Sequence, residues 1–277
     1  MASSKPAQIT SLEDFDESIN ILVYADSGVG KTVLAGTCPG KALFISTETG
    51  TISAKRQGSS AEIWRCPKWE DLAEAYEYLR DEDHGYDWVM LDSLTEMQSH
   101  AMTQILGQAA AENENRDPDI PAIQDYQKWQ NIYKRFVRAF NDLPVNVLYT
   151  ALTLRSDDEE GDPLVLPLIV GKGYQMSQWT CASMHMVGYY SIEKITKNGE
   201  VNEVRRLRVQ PTPPYFAKDR YDIGKRFLDN PTMTRLQRLI EANPAERLAA
   251  ESEAPAAKPR KAPAKAAKAA PASQSQE

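Results

Sequence analysis

The segment that most constrains this chain is Ala25-Asp26-Ser27-Gly28-Val29-Gly30-Lys31-Thr32. It follows a short apolar run at residues 19–24 and leads directly into Val33-Leu34-Ala35. Apart from Ala25, which replaces the leading glycine, it matches GxxxxGK[ST], a loop that joins a strand to a helix around phosphate. Each residue type has its own reason to be there. Gly28 and Gly30 let the backbone turn so that N–H groups point inward at phosphate oxygens. The helix opening at the end of the loop adds partial positive charge. Lys31 reaches the β- and γ-phosphates, and the Thr32 hydroxyl ligates Mg²⁺. The expected cradle runs through Asp26, Ser27, Gly28, Val29, Gly30, Lys31, Thr32 and Val33, with Ala25 tightening its entry. The alternative is a glycine-rich strand–helix turn without a ligand.

A strand feeding such a loop needs a sheet around it, and the chain supplies one. Residues 19–24, 42–45, 88–91 and 145–149 are short and apolar on both faces, as buried parallel strands are. Helical patterns lie between them. One covers residues 69–80. Another covers 122–140, with Ile123, Tyr126, Trp129, Tyr133, Phe136, Val137 and Phe140 on one stripe and Pro144 stopping it. Further on, Asn198-Gly199 separates strand-like runs at 184–196 and 201–210, a hairpin signal. Asn230-Pro231 reads as an N-cap and first turn of a last helix reaching about residue 242. The expected fold is α/β: a mostly parallel sheet flanked by helices and ending in an antiparallel hairpin. Residues 1–17 are expected to form a flexible arm, 18–245 the core, and 246–277 a disordered Ala/Lys/Pro tail.

Composition narrows the function. No stretch approaches the roughly 20 apolar residues of a membrane span, and the N-terminus lacks the apolar core of a secretion signal. Cys38, Cys66 and Cys181 form no CxxC pair, which fits a reducing cytoplasm. His84, His100 and His185 show no metal-ligand spacing. The net charge is −7, yet from Glu251 onward five Lys or Arg face three Glu, so the remainder carries −9. An acidic body does not hold nucleic acid by bulk charge; a local patch or the tail would have to do so.

Two carboxylates are placed to complete a phosphate site. Asp92 ends the apolar strand 88–91 and would complete the Mg²⁺ shell beside Thr32, or else cap the next helix. Glu48 follows the strand 42–45 and would polarise a water in line with the γ-phosphate, or else be an ordinary loop acid.

These residues, ADSGVGKT, FISTETG and WVMLDS in that order, resemble the RecA/RadA-like ATPase core. In size and layout, residues 19–242 resemble the short phage nucleotide-binding proteins implicated in single-strand annealing and recombination. The resemblance implies an ATP- and Mg²⁺-dependent ATPase with Glu48 as catalytic base and Thr150 as nucleotide sensor. It implies self-association into a ring or filament. Lys218 and Arg220, in the Lys-x-Arg of FAKDRY, would be fingers reaching a neighbouring subunit's γ-phosphate, or else surface cations. It also implies single-stranded DNA as partner, with loops at 152–163 and 169–178 as contact sites. In the second, Lys172 would supply charge and Tyr174 a stacking ring. Arg206 and Arg208, on one face of the hairpin's second strand, are a further candidate patch, or else a solvated face. The acidic run Asp157-Asp158-Glu159-Glu160 is an awkward neighbour for DNA in the first loop. A second reading is therefore a nucleotide-gated replication accessory protein or helicase loader, binding a single-strand-binding or other replication protein. A small-molecule kinase would need an Arg-bearing lid that the sequence does not show. A phage origin would place the chain in the host cytoplasm.

Overall fold

The computed structural model describes residue 11, residues 18–197 and residues 200–242. The chain divides into two units, Met1–Glu241 and Ala242–Glu277, and every element described belongs to the first. The expected arm, apart from Ser11, and the expected tail lie outside the described residues, as do Asn198 and Gly199, the residues expected to turn the hairpin.

In chain order the elements are β1 (Asn20–Ala25), α1 (Lys31–Ala35), β2 (Ala42–Ser46), α2 (Ile52–Arg56), β3 (Glu62–Arg65), α3 (Trp69–Asp81), β4 (Trp88–Asp92), α4 (Leu94–Glu112) and α5 (Ile123–Asn141). They continue as β5 (Asn146–Asp157), β6 (Pro163–Pro167), α6 (Gln175–Ser183), β7 (Met186–Lys197), β8 (Glu200–Arg208), β9 (Lys218–Asp219), β10 (Phe227–Asp229) and α7 (Met233–Glu241). The strands form one sheet in the order β10-β8-β7-β1-β5-β4-β2-β3, with β6 pairing β5 and β9 pairing β7. The pairs from β3 to β7 along this order are all parallel. β8, β9, β10 and β6 are antiparallel to their partners. The expected parallel sheet with an antiparallel C-terminal hairpin is thus present.

Side-chain alternation along β1 shows how the sheet holds its helices. Leu22 and Tyr24 join one buried cluster with residues of α3, α4, α5 and α6. Ile21, Val23 and Ala25 join the other, with Leu34 and Ala35 of α1 and Met233 and Leu236 of α7. Period-two alternation on a doubly covered strand makes every position of β1 apolar or small, Asn20 excepted. Tyr24 is fully buried, and its phenol donates to Val165 O (2.9 Å) and Phe216 O (2.6 Å), tying the strand to β6 and to the segment before β9.

Three expectations change. The stripe on α5 holds for Trp129, Tyr133, Phe136, Val137 and Phe140, but Ile123 is 81% exposed and Tyr126 is exposed as well. The first turn leaves the core because its inward position is Asp125, which accepts from Ala122 N at 2.7 Å and pairs with Arg116. The strand begun at 145–149 runs on to Asp157, and with β6 it turns the expected DNA loop at 152–163 into a two-stranded ribbon. Asn230 does not cap the last helix. It takes a left-handed backbone (φ 45), and Thr232 Oγ1 accepts from Arg235 N (3.1 Å) instead.

Candidate phosphate site

The C-terminal ends of β1, β2, β4 and β5 converge on the loop between β1 and α1. Gly28 and Gly30 have φ of 79° and 106°, a left-handed backbone that only glycine adopts at low cost. Among the described residues, no protein acceptor takes the N–H groups of Gly28 to Val33. The first N–H groups of a helix have no intrahelical partner, and here the preceding glycine-rich turn adds more that reach solvent or a ligand. Their sequential arrangement at the start of a helix is an anion cradle. The phosphates of a nucleotide fit it. Lys31 folds back over the loop, its ammonium donating to Ala25 O (3.1 Å) and Asp26 O (3.2 Å). Burial lowers the pKa of Lys31, opposed by the charges of Asp92, Glu48 and Asp26.

Thr32 and Asp92 meet as the motif spacing requires. Thr32 Oγ1 donates to Asp92 Oδ2 at 2.7 Å, and Thr150 Oγ1 donates to Asp92 Oδ1 at 2.5 Å. Asp92 is 5% exposed and Thr150 fully buried. Burial pushes the Asp92 carboxyl up, and the two hydroxyl donors pull the other way. A buried carboxylate beside a threonine hydroxyl, with the Lys31 ammonium near enough to act on its charge, is a donor set that suits Mg²⁺. The Thr150 hydroxyl is committed to that carboxylate and to Leu91 O (3.4 Å).

Glu48 stands exposed on the loop after β2, and that loop is bound to the Asp92 strand end. Thr47 N donates to Asp92 O (3.0 Å), Ser93 N donates to Thr47 Oγ1 (3.1 Å), and Ser46 Oγ donates to Glu48 O (2.6 Å). Gly50 faces Thr32: a Cβ added there would lie 3.7 Å from Thr32 Oγ1, an ordinary contact distance. The Glu48 carboxylate accepts from Ser93 Oγ at 2.5 Å. Ser93 also caps α4, its Oγ accepting from Glu96 N. Helix capping therefore falls to Ser93, leaving Asp92 free for Thr32. The loop, Asp92, Thr150 and Glu48 come together as the sequence leads one to expect.

The remaining candidates are placed differently. Lys218 donates to the carbonyls of Cys181 (3.3 Å), Ala182 (2.8 Å) and Met184 (2.6 Å), so its ammonium closes the C-terminal end of α6. Burial lowers its pKa, with the neighbouring Arg220 adding to the effect. Reaching another subunit would break all three bonds. Arg220 is exposed, and its backbone N donates to His185 O, before β7 begins. Because β7 runs parallel to β1, that is the end of the sheet opposite the phosphate loop. Arg206 and Arg208 form neither a free basic patch nor a merely solvated face. Arg206 pairs with Glu193 (3.0 Å) and Asp229 (2.6 Å), and Arg208 with Glu193 (2.6 Å). Arg206 also lies 3.9 Å over the ring of Phe227. Lys172 is exposed on the loop before α6, while Tyr174 is half-buried against the core.

Two cations at the loop escape a reading of the sequence. Arg155 on β5 makes a two-pronged contact with Asp26 (2.9 and 2.6 Å), holding that carboxyl below its usual range. Arg205 on β8 donates its Nε to Val29 O at 3.0 Å. Their partners lie 129 and 176 residues away, so only the fold joins them.

Comparison with known proteins adds the family. Among solved structures, the chain is similar to a KaiC-like protein from the archaeon Pyrococcus horikoshii, at 12% identity and TM-score 0.39, over 70% of this chain and 80% of that one. It is also similar to the flagellar accessory protein FlaH from Methanocaldococcus jannaschii, at 11% identity and TM-score 0.32, over 68% and 79%. Among curated proteins, none matches. The model of the AAA domain matches residues 17–221, well over half of the chain and every residue of the phosphate site, so the chain belongs to this family of P-loop ATPases.

Proposed function

We propose that this chain hydrolyses ATP with Mg²⁺ and uses the cycle to assemble on single-stranded DNA, in phage-type annealing or strand exchange. The observation carrying the hydrolytic part is the joining of Glu48, Ser93, Asp92, Thr32 and Thr150 by short hydrogen bonds around one cradle. The amides of Gly28 to Val33 and the Lys31 ammonium bind the phosphates, and Thr32 and Asp92 would hold the metal. Bound Mg²⁺ supplies charge neutralisation at the phosphate oxygens. Glu48, exposed and steered by Ser93, accepts the proton of the attacking water. For DNA, support comes from the exposed Lys172 between Gly171 and Gly173.

The test is ATP turnover measured across protein concentration, with and without single-stranded DNA. Turnover per chain is expected to rise with both. Turnover flat in both titrations would remove the assembly and DNA parts of the proposal.

The acidic ribbon and the pairing of Arg206 and Arg208 favour a second reading, a nucleotide-gated switch for a replication protein. ATP-dependent capture of a purified replication protein, with no gel shift on single-stranded DNA at low salt, would select it.

A further inference from the structure

Arg205 is held at the phosphate loop from β8, two strands from β1 in the sheet. Its Nε bonds the Val29 carbonyl at 3.0 Å. A Cβ on Gly30 would lie 3.4 Å from that Nε and 4.0 Å from Cδ, ordinary contact distances, so the guanidinium lies against the loop at the residue whose positive φ calls for glycine. The backbone behind the side chain is fixed from both directions. Arg205 N donates to Asn230 Oδ1 (3.1 Å), and Asn230 N donates to Arg205 O (2.6 Å). This clamp accounts for the left-handed Asn230, which an N-cap role does not. Arg155, Arg206 and Arg208 all face carboxylates; among the described residues Arg205 makes no ion pair. Its charge is thus uncompensated and rests on the loop whose N–H groups have no protein acceptor.

We propose that Arg205 is a positioning residue for the phosphate cradle. By holding the Val29 carbonyl it keeps the amides of Gly28 to Thr32 presented to phosphate, and its charge adds to their field. This rests on the nucleotide reading above and names a residue from β8 that sustains it. Because the contact is to the loop and not to the site of hydrolysis, it acts on ATP and ADP alike. It affects KM rather than kcat.

The test uses the full chain and fluorescently labelled ATP and ADP, with affinity read by anisotropy and kcat at saturating ATP. Arg205→Ala is expected to weaken both nucleotides about tenfold, the size of a lost charge-assisted hydrogen bond, with kcat within about twofold. Arg205→Lys, which keeps charge and donor, is expected to recover most of the affinity. Arg205→Gln, a donor without charge, is expected to fall between. Asn230→Gly tolerates the left-handed backbone and leaves Arg205 in place but unclamped. It is expected to weaken both nucleotides about threefold, and it serves should Arg205→Ala fail to fold. Wild-type affinity in Arg205→Ala, loss confined to ATP, or a fall in kcat would each overturn the assignment. Lys31→Ala separates the two readings: if it binds like wild type, or if wild type binds neither nucleotide, the nucleotide reading itself fails and this proposal with it.

Discussion

Replacing Glu48 by glutamine isolates one act, the acceptance of a proton, from everything else the residue does. The Glu48 carboxylate is exposed, and its Oε1 accepts from Ser93 Oγ at 2.5 Å. A glutamine carbonyl oxygen preserves that bond. The loop itself is held by Thr47, Ser46 and Asp92, which the substitution leaves alone. Folding stability is therefore expected to change by less than about 0.5 kcal/mol. Affinity for ATP is expected to hold or rise slightly, because one negative charge near Lys31 is removed. General base catalysis contributes about 10²- to 10⁴-fold. The expected fall in kcat is about 100- to 1,000-fold, or roughly 3–4 kcal/mol of barrier. Single-turnover hydrolysis with enzyme in excess, alongside labelled-ATP binding, separates chemistry from binding and product release. Turnover within threefold of wild type would refute the base assignment. Loss of binding together with turnover would move the defect to the cradle.

Three further outcomes follow from the same geometry. Asp92→Asn is expected to leave the urea midpoint of the nucleotide-free protein equal or higher at pH 7. Burial raises the native pKa of Asp92, so its contribution is complete below the unfolded value and lost as pH rises through the native one; the stabilisation by Mg²⁺ and ATP in a thermal melt is expected to vanish. Tyr24→Phe removes the hydroxyl donor to Phe216 O, while Val165 O keeps its bond from Phe216 N (3.0 Å), for a cost of about 1–2 kcal/mol and a melting temperature lower by about 2–8 °C, with ATP affinity intact. Arg155 holds the Asp26 carboxyl low, so that contribution is present above the unfolded pKa near 3.8 and is lost as pH falls through the lower native value; the wild-type advantage over Arg155→Ala, about 0.5 kcal/mol for so exposed a pair, is expected at pH 5 and is expected to shrink steadily as acid is added in urea titrations.

What could be read from the sequence was local chemistry. The loop from Ala25 to Thr32 announces itself because glycine, lysine and threonine at those spacings serve one purpose. Glu48 and Asp92 follow because each ends an apolar run that can only be a buried strand. The role of Ser93 was half visible: a serine after a strand-end acid suits a cap, but its second bond, to Glu48, needs β2 beside β4. Arg205 was beyond reach, since nothing near it in the chain hints at Val29. Asn230-Pro231 misled for a related reason. The dipeptide suits a helix start, but the tertiary contact to Arg205 claims the asparagine and leaves the cap to Thr232. Lys218 likewise belongs to a sequence pattern that suggests a finger, while three carbonyls at the end of α6 claim its ammonium.

The borders of the sheet carry a consequence for how copies of this chain would meet. One outer strand, β10, has three residues, and the other, β3, has four. Glu62 and Arg65 bracket β3, and Asp229 ends β10 in an ion pair with Arg206. Short, charged rims leave few open backbone groups and discourage sheet-to-sheet growth. Any stacking of protomers across these rims would have to be written in side chains, which a cell can tune one substitution at a time, rather than in an endless ribbon of backbone.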